Sequence, residues 1–336
     1  MMPPEGLDAF LEALDSIRKV LYKITFQANK RRARMKQIIK LIVFLLVIVA
    51  ILSPFQGQAF NSATHVYIAE KVATKVFPFT FDKIDLYYGS IAPDISSYAS
   101  NWPNGFCETH YQFIKLPYTW WKPGQRAFVQ GWQIHNELRL WGADSYAHGT
   151  CEYLGTCPLA KCTYEGYVPS KAGELADAFF YASGNTMLQD YPDLAHFAIE
   201  VAIDLLLIDN QDHNLGEKLL TAALFRSSED INLLMKVFVG QPDGIGTNRD
   251  TLSSAESTFR NLVINYAAAL SLPEPLRMGL LGELGVQIAN GMGVTIDSAT
   301  VQEVLRAAID FCRSDYYGPV DDAIHGIINN KANLIK

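Results

Sequence analysis

The chain has 336 residues, of which 49% are hydrophobic and 19% are charged, and its formal net charge is −7 at neutral pH. This composition supplies enough apolar side chains for a sizeable core and excludes a chain that is disordered throughout. The length allows one large domain or two. An acidic balance disfavours proteins that grip a nucleic-acid backbone with a broad basic surface.

The segment before residue 60 predicts an export signal. Residues 41–52 read LIVFLLVIVAIL and follow a basic stretch that begins at Lys30. A basic stretch, a short apolar run and small residues at a cleavage point are typical of a secretory signal peptide. Gly57-Gln58-Ala59 supplies such a point before Phe60, and the apolar run is shorter than the roughly 20 residues of a membrane-spanning helix. We therefore expect residues 35–59 to be removed and the protein to be periplasmic or extracellular; a membrane-tethered protein with an uncleaved anchor is the alternative.

Residues 1–34 are interpreted as an upstream extension outside the exported protein, because Met35 would be an ordinary start for the signal. The alternative is a cytoplasmic amphipathic segment, since Leu11, Leu14, Ile17 and Leu21 recur at helical spacing. Residues 1–59 hold nine of the 28 Lys and Arg residues and four of the 35 Asp and Glu residues. The remainder has 19 basic and 31 acidic residues and thus a net charge of −12. The exported protein would therefore be strongly acidic.

The rest of the chain predicts an all-α protein, with a catalytic region over residues 60–215 and a C-terminal helical region over 216–336 that packs on it. Apolar residues recur at helical spacing, and Gly, Pro and polar clusters separate the segments. No strand ladder or internal repeat is evident. The predicted helices are Thr64–Phe77, Ala127–Leu140, Gly142–His148, Lys171–Asn185, Pro192–Asp209, Ile231–Val239, Ser254–Leu270, Pro275–Met292 and Ser298–Arg313.

All five cysteines follow the signal, at Cys107, Cys151, Cys157, Cys162 and Cys312. Export permits disulfides, and the three central cysteines predict at least one bridge among themselves. A cysteine-rich zinc site is the competing interpretation, although a tight C-x-x-C pair is missing. The odd number leaves one thiol unpaired or paired between chains.

Histidines and carboxylates fall in a pattern that indicates a metal cluster. Asp144 and His148 are four residues apart, as are His196 and Glu200, so each pair shares one face of a helix. The second pair stands among apolar residues, where a buried imidazole and carboxylate need partners that Zn²⁺ can supply. Asp204, four residues further on, is expected to orient His196. The full set is too large for one tetrahedral ion: His65, Asp94, His110, His135, Asp144, His148, His196 and Glu200.

These motifs resemble the zinc-dependent phospholipase C family, whose fold is shared with the zinc-dependent single-strand-specific nucleases. The resemblance spans about Phe60 to Asp209. It rests on an aromatic residue after the cleavage point with a histidine soon after (Phe60 and His65), and on the element Gly89-Ser90-Ile91-Ala92-Pro93-Asp94. It continues with Cys107-Glu108-Thr109-His110 and then His135, Asp144, His148, His196 and Glu200.

The resemblance implies three zinc ions. The first would be held by Asp94, His110, His135 and a bridging Asp144, and the second by His148, His196 and Glu200. The third would take the α-amino group and carbonyl oxygen of Phe60, together with His65 and Asp144. Two ions are expected if the signal stays attached, because residue 60 then has no free amine. Asp94 would also act as general base or orient the nucleophile.

Two features depart from the family pattern. Phe60 stands where the family usually has Trp, although its ligand atoms would be backbone atoms. Family members commonly have H-x-x-x-D, but Leu140 stands four residues before Asp144 and the nearest earlier histidine is His135. His135 must therefore reach the site through an irregular connection, for which Gly142 offers a bend.

The implied function is that of an exported phospholipase C, which hydrolyses the glycerol-side phosphoester of phospholipid headgroups at a membrane surface by a metal-activated water. No stable protein partner is predicted. The alternatives are a zinc-dependent single-strand nuclease or nucleotidase, of which the acidic chain disfavours the nuclease, and a non-catalytic metal-stabilised exported protein. Tyr87, Tyr88 and the aromatic loop at residues 118–123 are candidate substrate contacts, with ordinary packing as the other possibility.

Overall fold

The computed structural model describes residues 62–76, 82–111, 125–136, 142–149, 151–152, 161–162, 166–240 and 246–330. The expected signal, Phe60 and the aromatic loop at 118–123 lie outside these residues. Ser53–Lys336 forms one compact unit, and its described part is mostly helical, which confirms the all-α class. No helix within the described ranges has the length and apolar character needed to cross a membrane.

The helices are α1 (Ser62–Val76), α2 (Lys83–Gly89), a 3₁₀ helix (Ala92–Tyr98), α3 (Gly105–His110), α4 (Arg126–His135), α5 (Ala143–His148), α6 (Tyr167–Ser183), α7 (Met187–Asp190), α8 (Pro192–Asn210), α9 (Leu215–Phe225), α10 (Ser228–Phe238), α11 (Arg249–Leu270), α12 (Leu276–Gly291), α13 (Ser298–Cys312) and α14 (Tyr317–Asn329). Two short antiparallel strands, β1 (Cys151–Glu152) and β2 (Lys161–Cys162), pair between α5 and α6.

Local sequence sets several helix ends. The side chains of Asp82, Ser227, Asn248 and Asp297 each accept a backbone N–H in the first turn of the helix that follows. These residue types are good N-caps because the first N–H groups of a helix have no partner within it. Gly184 ends α6 in the left-handed conformation, with φ of +71°.

Helix α8 lies at the centre of the molecule. Its residues from Ala198 to Ile208 are all buried, as expected for a helix that is apolar on every side. It packs against α6, α13 and α1. The second half of the chain shares this core: α11 contacts the 3₁₀ helix and α9, while α14 contacts α1 and α5. Helices from both halves therefore support the elements that carry the metal-binding motifs.

Helices α2 and α4 approach so closely that only glycine fits at their contact. A Cβ at Gly89 would overlap the backbone carbonyl of Phe128, and one at Gly131 would overlap the carbonyl of Leu86. Such contact between backbones requires the missing side chains. It brings the end of α2 next to the last turn of α4, where His135 lies.

Helix α4 was predicted to continue to Leu140, but it ends at His135, and Asn136 has ψ of 162°. Helix α5 begins at Ala143 after Gly142, whose backbone is extended and so is open to any residue. Gly142 serves by its small size, because a Cβ there would overlap the backbone of Asn136. His135 and Asp144 thus lie at facing ends of two helices, which explains their nine-residue separation.

The cysteine predictions are answered in part. Cys107 is disulfide-bonded, and Cys312 is a buried free thiol, in line with the expectation of one unpaired cysteine. Cys151 and Cys162 stand opposite each other in the two-stranded ladder. The side chains of the central cysteines lie outside the description, so the predicted bridge among them stays a prediction.

Candidate metal centre

All eight expected side-chain ligands belong to three groups that could each hold a metal ion. The inner group comprises Asp94, His110 and His135, and Asp144 Oδ2 lies within 3.6 Å of both of its imidazoles. The His65 group comprises His65, His135 and Asp144, and the rim group comprises His148, His196 and Glu200. The groups join segments that are far apart in the chain: α1, the 3₁₀ helix, α3, α4, α5 and α8.

Both imidazoles of the inner group lie at ligand-to-ligand distances from two carboxylates. The Nε2 atoms of His110 and His135 are 3.0 Å apart, and they lie 3.3 and 3.5 Å from Asp94 Oδ1. The same two nitrogens lie 3.6 and 3.4 Å from Asp144 Oδ2. Ligands about 2.0–2.1 Å from a tetrahedral zinc would be about 3.3 Å from one another. These five distances are close to that value, so either carboxylate could share an ion with the two imidazoles.

Backbone carbonyls orient both imidazoles of the inner group. His135 Nδ1 lies 2.8 Å from the carbonyl oxygen of Ser90, and His110 Nδ1 lies 3.1 Å from that of Phe106. A carbonyl only accepts, so His135 Nδ1 carries a proton and its Nε2 can offer a lone pair to a metal. His110 Nδ1 also lies 2.8 Å from the Thr109 hydroxyl, which can donate to it. The two Nε2 atoms, 3.0 Å apart, can therefore share a proton or bind one metal ion.

Asp144 bridges the inner group and the His65 group. Its Oδ2 faces His110 and His135, whereas its Oδ1 lies 3.0 Å from His65 Nε2. The rings of His65 and His135 stack with their centroids 4.1 Å apart. The expected shared role of Asp144 therefore agrees with the positions of its two oxygens. Phe60, the remaining expected ligand, lies outside the described residues.

The rim group lies on α5 and α8 and reaches solvent. Glu200 Oε1 is 3.0 Å from His148 Nε2 and 3.1 Å from His196 Nε2. The side chains of His148 and His196 are 17% and 32% exposed, whereas Glu200 is buried. His148 Nδ1 is also 3.9 Å from Asp144 Oδ2. The rim group is thus the accessible side of the cluster.

The charges of the buried groups depend on one another. Burial alone would raise the pKa of Asp144, but the positive charges of His135 and His148 outweigh it and hold that pKa well below its usual range. Burial would lower the pKa of His135, yet the charges of Asp144 and Asp94 raise it well above its ordinary value. Burial, followed by the charge of His135, lowers the pKa of His65.

The donor set fits divalent metal ions. The carboxylates of Asp94 and Asp144 are buried and face imidazole nitrogens. Buried carboxylates are costly unless a cation, either a metal ion or a protonated imidazole, compensates them. Imidazole nitrogens mixed with carboxylate oxygens suit transition metals such as zinc. These buried groups could therefore hold metal ions.

Other sequence-based expectations need correction. Asp204 does not contact His196: its oxygens accept hydrogen bonds from Ala63, Thr64 and Tyr266. The expected substrate contacts Tyr87 and Tyr88 are buried core residues. Their hydroxyls donate to Glu70 and Glu256.

Sequence reasoning missed Phe106, which is 37% exposed and stacks on His110 with ring centroids 4.0 Å apart. Its position four residues before His110 in α3 was the available signal. Phe106 is therefore an aromatic surface in direct contact with the inner group.

Comparison of the chain with protein-family models, with curated proteins and with solved structures finds no match.

Proposed function

We propose that this protein is an exported zinc-dependent phosphodiesterase, most specifically a phospholipase C. The observation that carries the proposal is the close approach of the metal-capable groups to Asp144, whose oxygens lie within 3.9 Å of His65, His110, His135 and His148. The resemblance of the motifs to the zinc-dependent phospholipase C family supports three zinc ions in these groups. It also supports the family's fold, which is shared with the single-strand nucleases.

The charge of the centre favours a phosphate-containing substrate. Asp94, Asp144 and Glu200 bring a charge of −3, and the five histidines would be neutral as ligands. Three divalent ions would leave a net charge of +3 in an otherwise acidic protein. A phosphodiester anion would then be attracted to the one region whose local charge is reversed.

Bound zinc ions would lower the pKa of a water molecule and neutralise charge on the phosphoryl oxygens. Asp94 Oδ1 faces His110 and His135, which leaves Oδ2 to accept a hydrogen bond from the attacking water and orient it. In the metal-free protein burial would raise the pKa of Asp94, but the charges of His135 and His110 lower it below its ordinary value. With these histidines bound as neutral ligands, the charge of the zinc ions would keep Asp94 ionised in their place.

Access and specificity would come from the rim group and Phe106. His148 and His196 are partly exposed, so a substrate phosphate can approach from their side. The exposed ring of Phe106 offers a π face to a quaternary ammonium headgroup or to a nucleobase. The acidic chain favours the choline-type headgroup over nucleic acid.

The test is hydrolysis by the zinc-loaded protein of phosphatidylcholine vesicles and, separately, of single-stranded DNA. Release of phosphocholine, lost in His196→Ala, supports the proposal. Cleavage of DNA alone would replace it with a nuclease. Zinc binding without either activity would leave a metal-stabilised binding protein.

The mature amino terminus is a second test, since the third ion needs the free amine of Phe60. Mass spectrometry of the secreted protein should find a chain that begins at Phe60. Any other first residue would contradict the three-ion arrangement and favour two ions.

A further inference from the structure

Asp204 is a buried carboxylate whose hydrogen bonds all join α8 to other helices. Its Oδ1 accepts the N–H of Thr64 at 2.7 Å and the Thr64 hydroxyl at 2.5 Å. Its Oδ2 accepts the N–H of Ala63 at 3.2 Å and the hydroxyl of Tyr266 at 2.9 Å. The side chain is completely inaccessible to solvent, so these four donors define its surroundings.

Two of these donors are first-turn N–H groups of α1. Such groups have no partner within their own helix, and a carboxylate at a helix N-terminus is favoured by the helix dipole. The usual capping residue is adjacent in sequence, whereas Asp204 is 140 residues from Thr64. The cap of α1 is therefore a tertiary contact that fixes where α1 begins relative to α8.

Both helices carry candidate ligands next to this contact. His65 follows Thr64 directly, and its Nε2 lies 3.0 Å from Asp144 Oδ1. Glu200 of the rim group precedes Asp204 by four residues, one turn along α8. Asp204 thus joins the helix that bears the rim group to the helix that bears His65.

We propose that Asp204 is a positioning residue that holds the first turn of α1 so that His65 reaches the bridging oxygen of Asp144. The inference rests on the proposed metal centre and assigns Asp204 no contact with an ion or substrate. The partners that orient metal ligands typically contribute about 10- to 100-fold in metal affinity.

The test is a Zn²⁺ titration of metal-depleted protein against a chromophoric chelator, with wild type, Asp204→Asn and His65→Ala compared. Asparagine keeps the size of the side chain but replaces one acceptor oxygen with a donor. His65→Ala should remove one zinc-binding step, and Asp204→Asn should lower the zinc affinity of that same step by about 10- to 100-fold. The step assigned to the rim group, identified with His196→Ala, should be unchanged. In the His65→Ala background, Asp204→Asn should cause no further loss.

Three further variants separate positioning from general destabilisation. Thr64→Val removes one hydrogen bond to Asp204 but keeps the backbone donors, and it should weaken the same step, whereas Thr64→Ser should restore it. Glu256→Gln alters another buried carboxylate, bonded to Tyr88 and Arg226. It should reduce stability without changing zinc affinity. If Asp204→Asn does not fold, the Thr64 pair decides the question.

The outcomes separate this inference from the proposed function. Wild-type affinity in both Asp204→Asn and Thr64→Val would overturn the positioning role, whether or not the protein is an enzyme. A specific loss at the His65 step would support it, even if wild type hydrolyses no phosphodiester. A wild-type protein that binds no zinc would overturn both.

Discussion

The contact between α2 and α4 can be tested with one methyl group. In Gly131→Ala the new Cβ would overlap the carbonyl oxygen of Leu86 and stand 2.7 Å from the amide nitrogen of Ser90. Overpacking of this kind costs about 1–3 kcal/mol. The displaced residue is also functional, because the Ser90 carbonyl accepts the Nδ1 proton of His135. We therefore expect a loss of zinc affinity at the inner group as well, by about 10- to 100-fold.

The matched control is Gly173→Ala in α6, where a Cβ would meet no atom within 4 Å. That change should stabilise the protein by about 0.4–1 kcal/mol, because alanine restricts the unfolded chain. Denaturant unfolding of the zinc-loaded proteins gives the free energies of unfolding, and chelator competition gives the affinities. If Gly131→Ala and Gly173→Ala behaved alike in both assays, the close approach of α2 and α4 would not position His135.

Three further predictions concern the rim group, a buried acid and the exposed aromatic. His196→Ala should remove one zinc ion and the proposed phosphodiesterase activity, whereas His213→Ala, at an exposed histidine, should change neither. Elemental analysis and turnover measure the two effects, and equal results for the two variants would refute the rim assignment. Burial and the neighbouring Asp85 raise the pKa of Asp230 from 3.8 to about 9. Between pH 3.8 and about 9, Asp230 is therefore protonated in the folded protein and ionised in the unfolded chain. The free energy of unfolding consequently falls as the pH rises through this range. Denaturant unfolding at saturating zinc should show the free energy of unfolding of Asp230→Asn rising relative to wild type by up to about 1.4 kcal/mol per pH unit between pH 5 and 8. Parallel plots of that free energy against pH for the two proteins would contradict this. Phe106→Ala should raise KM for phosphatidylcholine roughly two- to fivefold, equivalent to about 0.5–1 kcal/mol, with zinc content unchanged; an unaltered KM would exclude a headgroup contact.

Local spacing predicted much of the candidate centre. The i,i+4 pair His196 and Glu200 forms a 3.1 Å contact because both residues lie on one face of α8. The all-α class followed from the helical recurrence of apolar residues. The division of the ligands among three ions came from the family resemblance and stays a prediction, although Asp144 Oδ1 and Oδ2 do face different histidines.

The remaining features depend on contacts between distant segments. The orientation of His135 depends on the carbonyl of Ser90, 45 residues earlier, and on a glycine contact between two helices. Two partners of Asp204 lie about 140 residues away in α1 and a third, Tyr266, lies in α11, so the expected contact with the nearby His196 was wrong. The end of α4 at His135 was missed because the apolar recurrence continues to Leu140.

Zinc content per chain, measured by elemental analysis of the wild-type protein and of Asp144→Asn, tests the central claim most directly. The wild-type protein, with its chain beginning at Phe60, should hold three zinc ions. Asp144→Asn should hold one, in the rim group, because in the proposed arrangement Asp144 bridges the other two ions. A wild-type protein without zinc, or an Asp144→Asn variant with the full complement, would contradict a metal cluster built around Asp144.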